Sequence, residues 1–171
     1  MGKNIILTGF MGAGKSTIGR KLARRIGSYF LDTDHLIEGF EGRSIPEIFR
    51  EEGEGRFREL ERECFLWLRR FVQRSVVSVG GGFPVYIPEI REAGIVIYLE
   101  TPLEEILTRL SREDRARRPL FQNLDRVQEL YRLREPIYRQ LAHYRVRNRE
   151  IEETIGQILR LLRKEGILPI D

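Results

Sequence analysis

Residues 4–20 read NIILTGFMGAGKSTIGR, and this stretch sets the interpretation of the whole chain. A short apolar run is followed, within residues 9–17, by three glycines, one lysine and two hydroxyl residues. Gly9, Gly14, Lys15 and Ser16 match the phosphate-loop pattern G-x-x-x-x-G-K-[ST]. Apolar residues then recur at i,i+4 spacing, which is typical of a helix. The stretch therefore predicts a strand, a phosphate loop and a helix in direct succession.

Such a loop has a defined chemistry. Glycines let successive backbone N–H groups curl around a polyphosphate, and the helix that begins near Lys15 points the positive end of its dipole at the same oxygens. We predict that Lys15 reaches the β- and γ-phosphates of ATP and that Ser16 binds Mg²⁺. The alternative is a glycine-rich turn that carries a surface lysine. The predicted nucleotide-binding residues in this loop are Gly12, Ala13, Gly14, Lys15, Ser16 and Thr17.

Length and composition indicate one globular domain from a reducing compartment. The chain has 171 residues, of which 41% are hydrophobic and 33% are charged, which is typical of a single core. The only cysteine, Cys64, cannot form an internal disulfide, and no apolar run approaches the roughly 20 residues that span a bilayer. We expect one domain over residues 1–171 that is cytoplasmic, monomeric and not bound to a membrane.

The charge pattern argues against a nucleic-acid partner. The formal net charge is +4, yet acids and bases alternate closely in FREEGEGRFRELERE, residues 49–63. This alternation is typical of a solvated helix face with i,i+4 pairs. Only DRARR, residues 114–118, is a local basic cluster, and it lies in a predicted loop. We therefore expect no nucleic-acid binding.

Five β-rich runs alternate with helical patterns. Parallel pairing follows from this alternation, because a helix between two strands forms a crossover connection. The predicted fold class is α/β. The predicted strands are residues 3–8, 29–33, 75–80, 95–100 and 144–148, and helices are predicted after the phosphate loop and at 47–72, 101–110, 125–142 and 150–164.

Details of these helices are also predicted. Gly53 and Gly55 interrupt the long helical region, and Thr101 is the predicted N-cap of the helix that follows the fourth strand. Three aromatic residues at helical spacing are predicted to lie in the core, and His143 is predicted to lie in a helix. Those aromatic residues are Phe65, Trp67 and Phe71.

Two carboxylates supply the acidic chemistry that the phosphate loop lacks. Asp32 and Asp34 lie in LDTDH at a predicted strand end, where an extended backbone would point both side chains the same way. One can support Mg²⁺, and the other can orient or deprotonate an incoming hydroxyl. The alternative is a helix N-cap at Asp34 with a turn acid. The Asn-Lys-x-Asp motif of GTPases is absent from the sequence.

The chain resembles the shikimate kinase family over nearly its whole length. The resemblance rests on GFMGAGKSTIGR, LDTD, EIFREEGEGRFRELE, VGGG, RRPL and REPIY, in the family's order. It implies the nucleoside monophosphate kinase fold, with five parallel strands in the spatial order 2-3-1-4-5. It also implies transfer of the ATP γ-phosphate to the 3-hydroxyl of shikimate, in the route to chorismate and aromatic amino acids.

The resemblance implies roles for individual residues. Asp34 would contact the shikimate hydroxyls and act as base or orienter, while Asp32 would support the Mg²⁺ site. Arg58 and Arg134 would pair with the shikimate carboxylate. Arg118 would swing in with a mobile lid at residues 111–121 and neutralise charge on the transferring phosphoryl group. The substrate-binding region would be residues 34–60, with further backbone contacts from Gly80, Gly81 and Gly82.

One segment departs from the family pattern, and two other functions remain open. The loop after the last strand is shorter than in the family, and Arg109 and Arg149 are the candidates for contacts with adenine. A gluconate kinase of the same fold would lack the Arg58 and Arg134 carboxylate pair. A noncatalytic ATP-binding module would not need Asp34.

We predict that Lys15→Ala abolishes turnover while the fold survives. The loop lysine contributes positive charge to the transition state and little to the core, so ADP release should fall by at least about 100-fold. The measurement is ADP release by a variant that is shown to be folded. Unchanged release would contradict the phosphate-loop assignment.

Overall fold

The computed structural model describes residues 2–117 and 119–169, and these residues contain one five-stranded sheet. Each pair of neighbouring strands is parallel, and the order is β2-β3-β1-β4-β5. The predicted α/β class and strand order are confirmed. The strands are β1 Asn4–Thr8, β2 Phe30–Asp32, β3 Val76–Ser78, β4 Gly94–Glu100 and β5 Tyr144–Arg147.

Helices cover both faces of the sheet, which explains why the interior residues of the central strands β1 and β4 are apolar. The side chains of β1 alternate between two cores: Ile5 and Leu7 pack against the α1 and α8 side, and Ile6 packs against the α3 side. The helices are α1 Lys15–Arg25, α2 Thr33–Glu41, α3 Ile45–Phe71, α4 Phe83–Tyr86, α5 Leu103–Arg109, α6 Arg112–Arg117, α7 Leu124–Leu141 and α8 Ile151–Lys164. No helix within the described ranges is long and apolar enough to cross a membrane.

The long helix α3 begins with a capping box and bends once. Ser44 and Glu47 form the capping box, in which each side chain accepts a hydrogen bond from the other residue's backbone N–H. Gly53 interrupts the helix with a φ of 84°, a left-handed value that suits glycine. The interruption predicted at Gly53 is confirmed, whereas Gly55 lies in regular helix.

The core prediction for α3 is right for one aromatic residue and wrong for two. Phe65 is buried against the sheet, but Trp67 is 44% and Phe71 is 64% exposed. Phe65 and Leu68 lie on the face that packs against β1, β3 and β4. Trp67 and Phe71 lie on other faces of the helix, so helical spacing alone did not tell which aromatic residues are core.

Three local predictions are also wrong. Thr101 does not cap α5: Pro102 takes the N-cap position without a side-chain hydrogen bond, and Thr101 is buried. His143 lies between α7 and β5, where its Nδ1 accepts a hydrogen bond from the backbone of Val96. The segment predicted as a loop at 111–121 contains α6 and a 3₁₀ turn at Pro119–Gln122.

We predict that Gly94→Ala destabilises the protein strongly. Asn4 and Gly94 are paired between β1 and β4, and a Cβ at Gly94 would lie 2.4 Å from the Asn4 backbone oxygen. Overpacking of this kind costs about 1–3 kcal/mol, and thermal unfolding measures it. The control is Gly39→Ala on α2, where a Cβ would meet nothing within 4 Å and should stabilise the helix by roughly 0.5–1 kcal/mol. Equal melting temperatures for the two variants would contradict this packing.

Candidate active site

A cavity of about 690 Å³ lies at the carboxyl edge of the sheet. It is lined by the phosphate loop, by Asp32 and Asp34 after β2, and by Gly80 and Gly81 after β3. Ligands of open parallel sheets bind at this edge, where the connections leave the strand ends. The cavity therefore joins the three segments that the sequence singled out.

The phosphate loop adopts a backbone that requires glycine. Gly12 and Gly14 have φ values of 79° and 87°, which L side chains rarely adopt. Lys15 is buried, and its Nζ donates hydrogen bonds to the backbone oxygens of Gly9 at 2.7 Å and Phe10 at 3.0 Å. Gly12, Gly14, Lys15, Ser16 and Thr17 line the cavity, whereas the Ala13 side chain packs in the core behind it.

Asp32 connects the loop helix to the acidic segment. Ser16 Oγ donates to Asp32 Oδ2 at 3.0 Å, and Asp32 Oδ1 accepts from the backbone N–H groups of Asp34 at 2.9 Å and His35 at 3.3 Å. Asp32 is thus the N-cap of α2. The predicted extended geometry is wrong, because β2 ends at Asp32 and Asp34 already lies in the helix. Both carboxylates nevertheless line the same cavity.

The Ser16 hydroxyl and the Asp32 carboxylate are suitable ligands for Mg²⁺. A hard cation prefers oxygen ligands, and Mg²⁺ in nucleotide sites uses one or two protein groups together with substrate phosphates and water. Within residues 2–117 and 119–169, no group of three or more His, Cys, Asp or Glu side chains could hold a metal ion. The residues present therefore fit a nucleotide-linked cation better than a cation held by protein groups alone.

Asp34 is half-buried, and one oxygen of its carboxylate is buried and unpaired. Its Oδ1 has no hydrogen-bond partner within the described part of the chain, and a Cβ at Gly80 would lie 3.1 Å from it. Burial raises the pKa of Asp34; the nearby Asp32 adds to the rise, and Lys15 opposes it. A buried acceptor without a donor is costly. Asp34 is consequently well suited to accept a hydrogen bond, or a proton, from a bound hydroxyl.

Arg58 and Arg134 approach the glycines that follow β3. Arg58 Nη1 contacts Glu61 Oε1 at 2.5 Å, and its guanidinium carbon lies 4.1 Å from the Tyr86 ring centroid. A Cβ at Gly82 would lie 2.6 Å from Arg58 Nη1, and one at Gly81 would lie 3.4 Å from Arg134 Nη1. A side chain at Gly82 would therefore displace the Arg58 guanidinium group, whereas one at Gly81 would only touch that of Arg134.

Glu61 is a site residue that the sequence interpretation missed. It is 1% exposed, and burial raises the pKa of its carboxyl group against the opposing charge of Arg58. Arg134 and Asp34 also act on it electrostatically. The alternating charges of residues 49–63 were interpreted as a solvated face, which is wrong for Glu61. Its i,i+3 spacing from Arg58 was the available signal.

Tyr138 is a second missed residue. It is fully buried on α7, and its hydroxyl donates to the Gly81 backbone oxygen at 2.6 Å. This bond connects α7, which carries Arg134, to the glycine turn after β3. Tyr138 therefore helps to hold Arg134 and the turn in register.

The structure describes only part of the predicted lid. Leu110 and Asp114 line the cavity, so the segment at 111–121 adjoins the site. Arg118, the predicted lid arginine, lies outside the described residues. Of the two candidates for adenine, Arg109 donates from Nη2 to the backbone oxygens of Asn148 at 3.0 Å and Arg149 at 3.2 Å.

The sheet order and the cavity together define a P-loop kinase of the nucleoside monophosphate kinase type. The family model for shikimate kinase matches residues 11–163. A shikimate kinase from Helicobacter hepaticus is 42% identical over 142 residues, which cover 83% of this chain and 84% of that protein. The chain belongs to the shikimate kinase family. ATP is accordingly its phosphoryl donor.

Solved structures agree with this assignment. A shikimate kinase from Acinetobacter baumannii in complex with shikimate superposes with a TM-score of 0.84 at 38% identity, covering 95% of this chain and 94% of that one. A gluconokinase from Sinorhizobium meliloti has a TM-score of 0.57 at 18% identity, covering 95% of this chain and 93% of that one. The second likeness extends to the fold alone.

We predict that Asp34→Asn inactivates the enzyme yet stabilises the fold at neutral pH. Activity should fall by at least about 100-fold, because an amide cannot accept the proton. The pKa of Asp34 is raised in the folded state, so ionising this carboxyl group lowers the free energy of unfolding. The loss develops as the pH rises from the pKa of Asp34 in the unfolded chain through its pKa in the folded protein. The variant should therefore melt higher than wild type at pH 7.5, and the difference should shrink towards pH 4.

The control for this experiment is Asp125→Asn, at an exposed position in the first turn of α7. It makes the same chemical change without a buried carboxyl, so it should leave activity and the pH dependence of the melting temperature near wild type. An Asp34→Asn protein that keeps most of its activity would contradict the assigned role.

Proposed function

We propose that the chain transfers the γ-phosphate of ATP to the 3-hydroxyl of shikimate, forming shikimate 3-phosphate and ADP in the route to chorismate and aromatic amino acids. The observation that carries the proposal is the unpaired Oδ1 of Asp34, buried between the phosphate loop and the glycine turn that Arg58 and Arg134 approach. Lys15 of the phosphate loop acts on this carboxylate electrostatically, and a Cβ at Gly80 would lie 3.1 Å from its Oδ1.

The acceptor is held at two points. Arg58 and Arg134 offer planar donors that pair well with a carboxylate, and Asp34 accepts a hydrogen bond from a hydroxyl. Gly80, Gly81 and Gly82 let the ring approach the backbone closely. A rigid ring with a carboxylate and hydroxyls at fixed separation satisfies both points together.

The donor is held by the other half of the cavity. Backbone N–H groups of residues 12–17 and the Lys15 ammonium group bind the phosphates of ATP. Ser16 and Asp32 would hold Mg²⁺, which supplies positive charge to the phosphate oxygens when bound. Arg118 would add further positive charge as part of a lid at residues 111–121.

The raised pKa of Asp34 suits its part in the reaction. A carboxylate whose pKa lies above its usual range is a stronger base, and it accepts the hydroxyl proton more readily as the oxygen attacks phosphorus. Lys15 opposes the rise, so the ammonium group helps Asp34 remain ionised and ready to accept that proton. In the proposed reaction Lys15 therefore acts on the phosphates and Asp34 on the incoming hydroxyl.

Two other functions fit the site less well. A gluconate kinase would need to bind an open-chain acid, which cannot hold its carboxylate and a hydroxyl at one fixed separation. A noncatalytic ATP-binding module would have no use for a buried, unpaired carboxylate beside the phosphates, because that group lowers stability.

The proposal also covers the oligomeric state, the cellular location and the binding partners of the enzyme. The proposed enzyme is a monomer with a single domain over residues 1–171 and a substrate-binding region at 34–60. The lone Cys64 supports a reducing, cytoplasmic location. The alternating surface charges support an enzyme that binds neither nucleic acid nor membrane.

We predict that shikimate methyl ester is phosphorylated at least about 100-fold less efficiently than shikimate. The ester cannot accept the charge-assisted bonds of Arg58 and Arg134, which are worth roughly 1.5–3 kcal/mol each. Arg58→Ala should erase most of the preference, because it weakens binding of the acid more than of the ester. Gluconate should be a poor acceptor. The measurement is kcat/KM for the three acceptors.

The control variant is Arg62→Ala, one turn further along α3, where the side chain is 52% exposed and pairs with Glu89. It should keep the preference for the acid. Comparable efficiency on acid and ester with the wild-type enzyme would remove the carboxylate clamp from the proposal, and a preference for gluconate would overturn the function.

We predict that the segment at 111–121 becomes less accessible when both ligands bind. Trypsin should cut the free protein near Arg115 to Arg118 and cut it more slowly with ADP plus shikimate, because closure excludes water from the reacting phosphate. Cleavage after the exposed Lys164 at the end of α8 serves as the internal control and should not change. If the ligands left the rate of cleavage near Arg115 to Arg118 unchanged, as they should at Lys164, that result would argue against a lid.

A further inference from the structure

Asn148 is a polar side chain buried directly after β5. It is 3% exposed, and its Nδ2 donates to the backbone oxygen of Ala13, in the middle of the phosphate loop. Its Oδ1 lies 3.2 Å from Thr154 Oγ1, and its backbone N donates to the Glu100 oxygen at 2.9 Å. Its backbone oxygen accepts from Arg109 Nη2 at 3.0 Å. Each polar group of Asn148 therefore has a partner.

The contact with Ala13 determines which way one peptide group of the loop faces. A trans peptide is planar, so its C=O and the following N–H point in opposite directions, and no described peptide bond is cis. Holding the Ala13 carbonyl towards Asn148 turns the Gly14 N–H the opposite way. Gly14 lines the cavity and has a left-handed φ of 87°. A different φ at Gly14 would turn the Ala13–Gly14 peptide in another direction.

We propose that Asn148 is a positioning residue that fixes the curvature of the phosphate loop. The proposal rests on the proposed function for its link to turnover, but it concerns polyphosphate binding itself. Asn148 contacts no reacting group; it acts through the Ala13–Gly14 peptide. The anchor comes from a distant part of the chain, since the two contacting residues lie 135 positions apart.

A second buried asparagine provides a matched control. Asn4 is 4% exposed and, like Asn148, binds backbone: its Nδ2 donates to Val72 O at 2.8 Å and Ala93 O at 3.0 Å, and its Oδ1 accepts from Ser75 N at 3.1 Å. Asn4 begins β1, and the phosphate loop follows the other end of that strand. Asn4→Ala should thus reproduce the loss of a buried asparagine without touching the loop.

The experiment measures binding of ADP and of inorganic tripolyphosphate to full-length wild type, Asn148→Ala and Asn4→Ala by calorimetry. Asn148→Ala should weaken both ligands by a similar factor of about tenfold or more, the scale of one buried hydrogen bond. KM for ATP should rise accordingly, while KM for shikimate stays within about twofold. Asn4→Ala should lower the melting temperature and leave both affinities unchanged.

Asn148→Asp keeps the shape of the side chain and covers the case in which the alanine variant does not fold. Its carboxylate cannot donate to the Ala13 oxygen at neutral pH, so it should lose at least as much affinity for tripolyphosphate. Wild-type affinity in this variant, a loss confined to ADP, or an equal loss in Asn4→Ala would each overturn the proposal. Failure of the proposed function would appear separately, as a wild-type enzyme that binds ADP but forms no ADP from ATP in the presence of shikimate.

Discussion

The parallel insertion of β3 between β1 and β2 is the constraint on which the site depends. It brings the carboxyl ends of three strands side by side. The phosphate loop leaves β1, the aspartate segment leaves β2 and the glycine turn leaves β3. The proposed donor site, base and acceptor site therefore meet in one crevice, although they lie about 20 to 70 residues apart in the sequence. A strand order that separated β1, β2 and β3 would separate the three segments as well.

Buried charge is the second feature that gives the site its chemistry. Burial raises the pKa of both Asp34 and Glu61; Lys15 opposes the rise at Asp34, and Arg58 and Arg134 oppose it at Glu61. Glu61 contacts Arg58 directly, so the guanidinium is oriented before any substrate carboxylate arrives. Such an arrangement costs stability and gains preorganisation, because the donors need not reorganise when the acceptor binds. The site thus lowers the free energy of unfolding, and the apolar cores on the two faces of the sheet offset that loss.

The fold was largely predictable from the sequence, because its signals are local or periodic. The phosphate-loop pattern, the apolar strands and the i,i+4 spacing each act within a few residues, and the resemblance to a family supplied the strand order. The errors at Trp67 and Phe71 have another cause: the side of a helix that faces the sheet depends on packing. The same holds for Glu61, whose burial comes from α3 lying against the glycine turn. Asn148 contacts Ala13 across the sheet, and nothing near Asn148 in the sequence indicates that contact.

Phosphorus NMR of the reaction products tests the central claim most directly. Wild-type enzyme with ATP, Mg²⁺ and shikimate should form one phosphate ester per ADP, and a phosphorus–proton correlation should connect that phosphorus to the proton at carbon 3 of the ring. This result requires ATP and shikimate to be bound together in one site, with the 3-hydroxyl next to the γ-phosphate. Inorganic phosphate without an ester, or an ester on a different hydroxyl, would contradict the account.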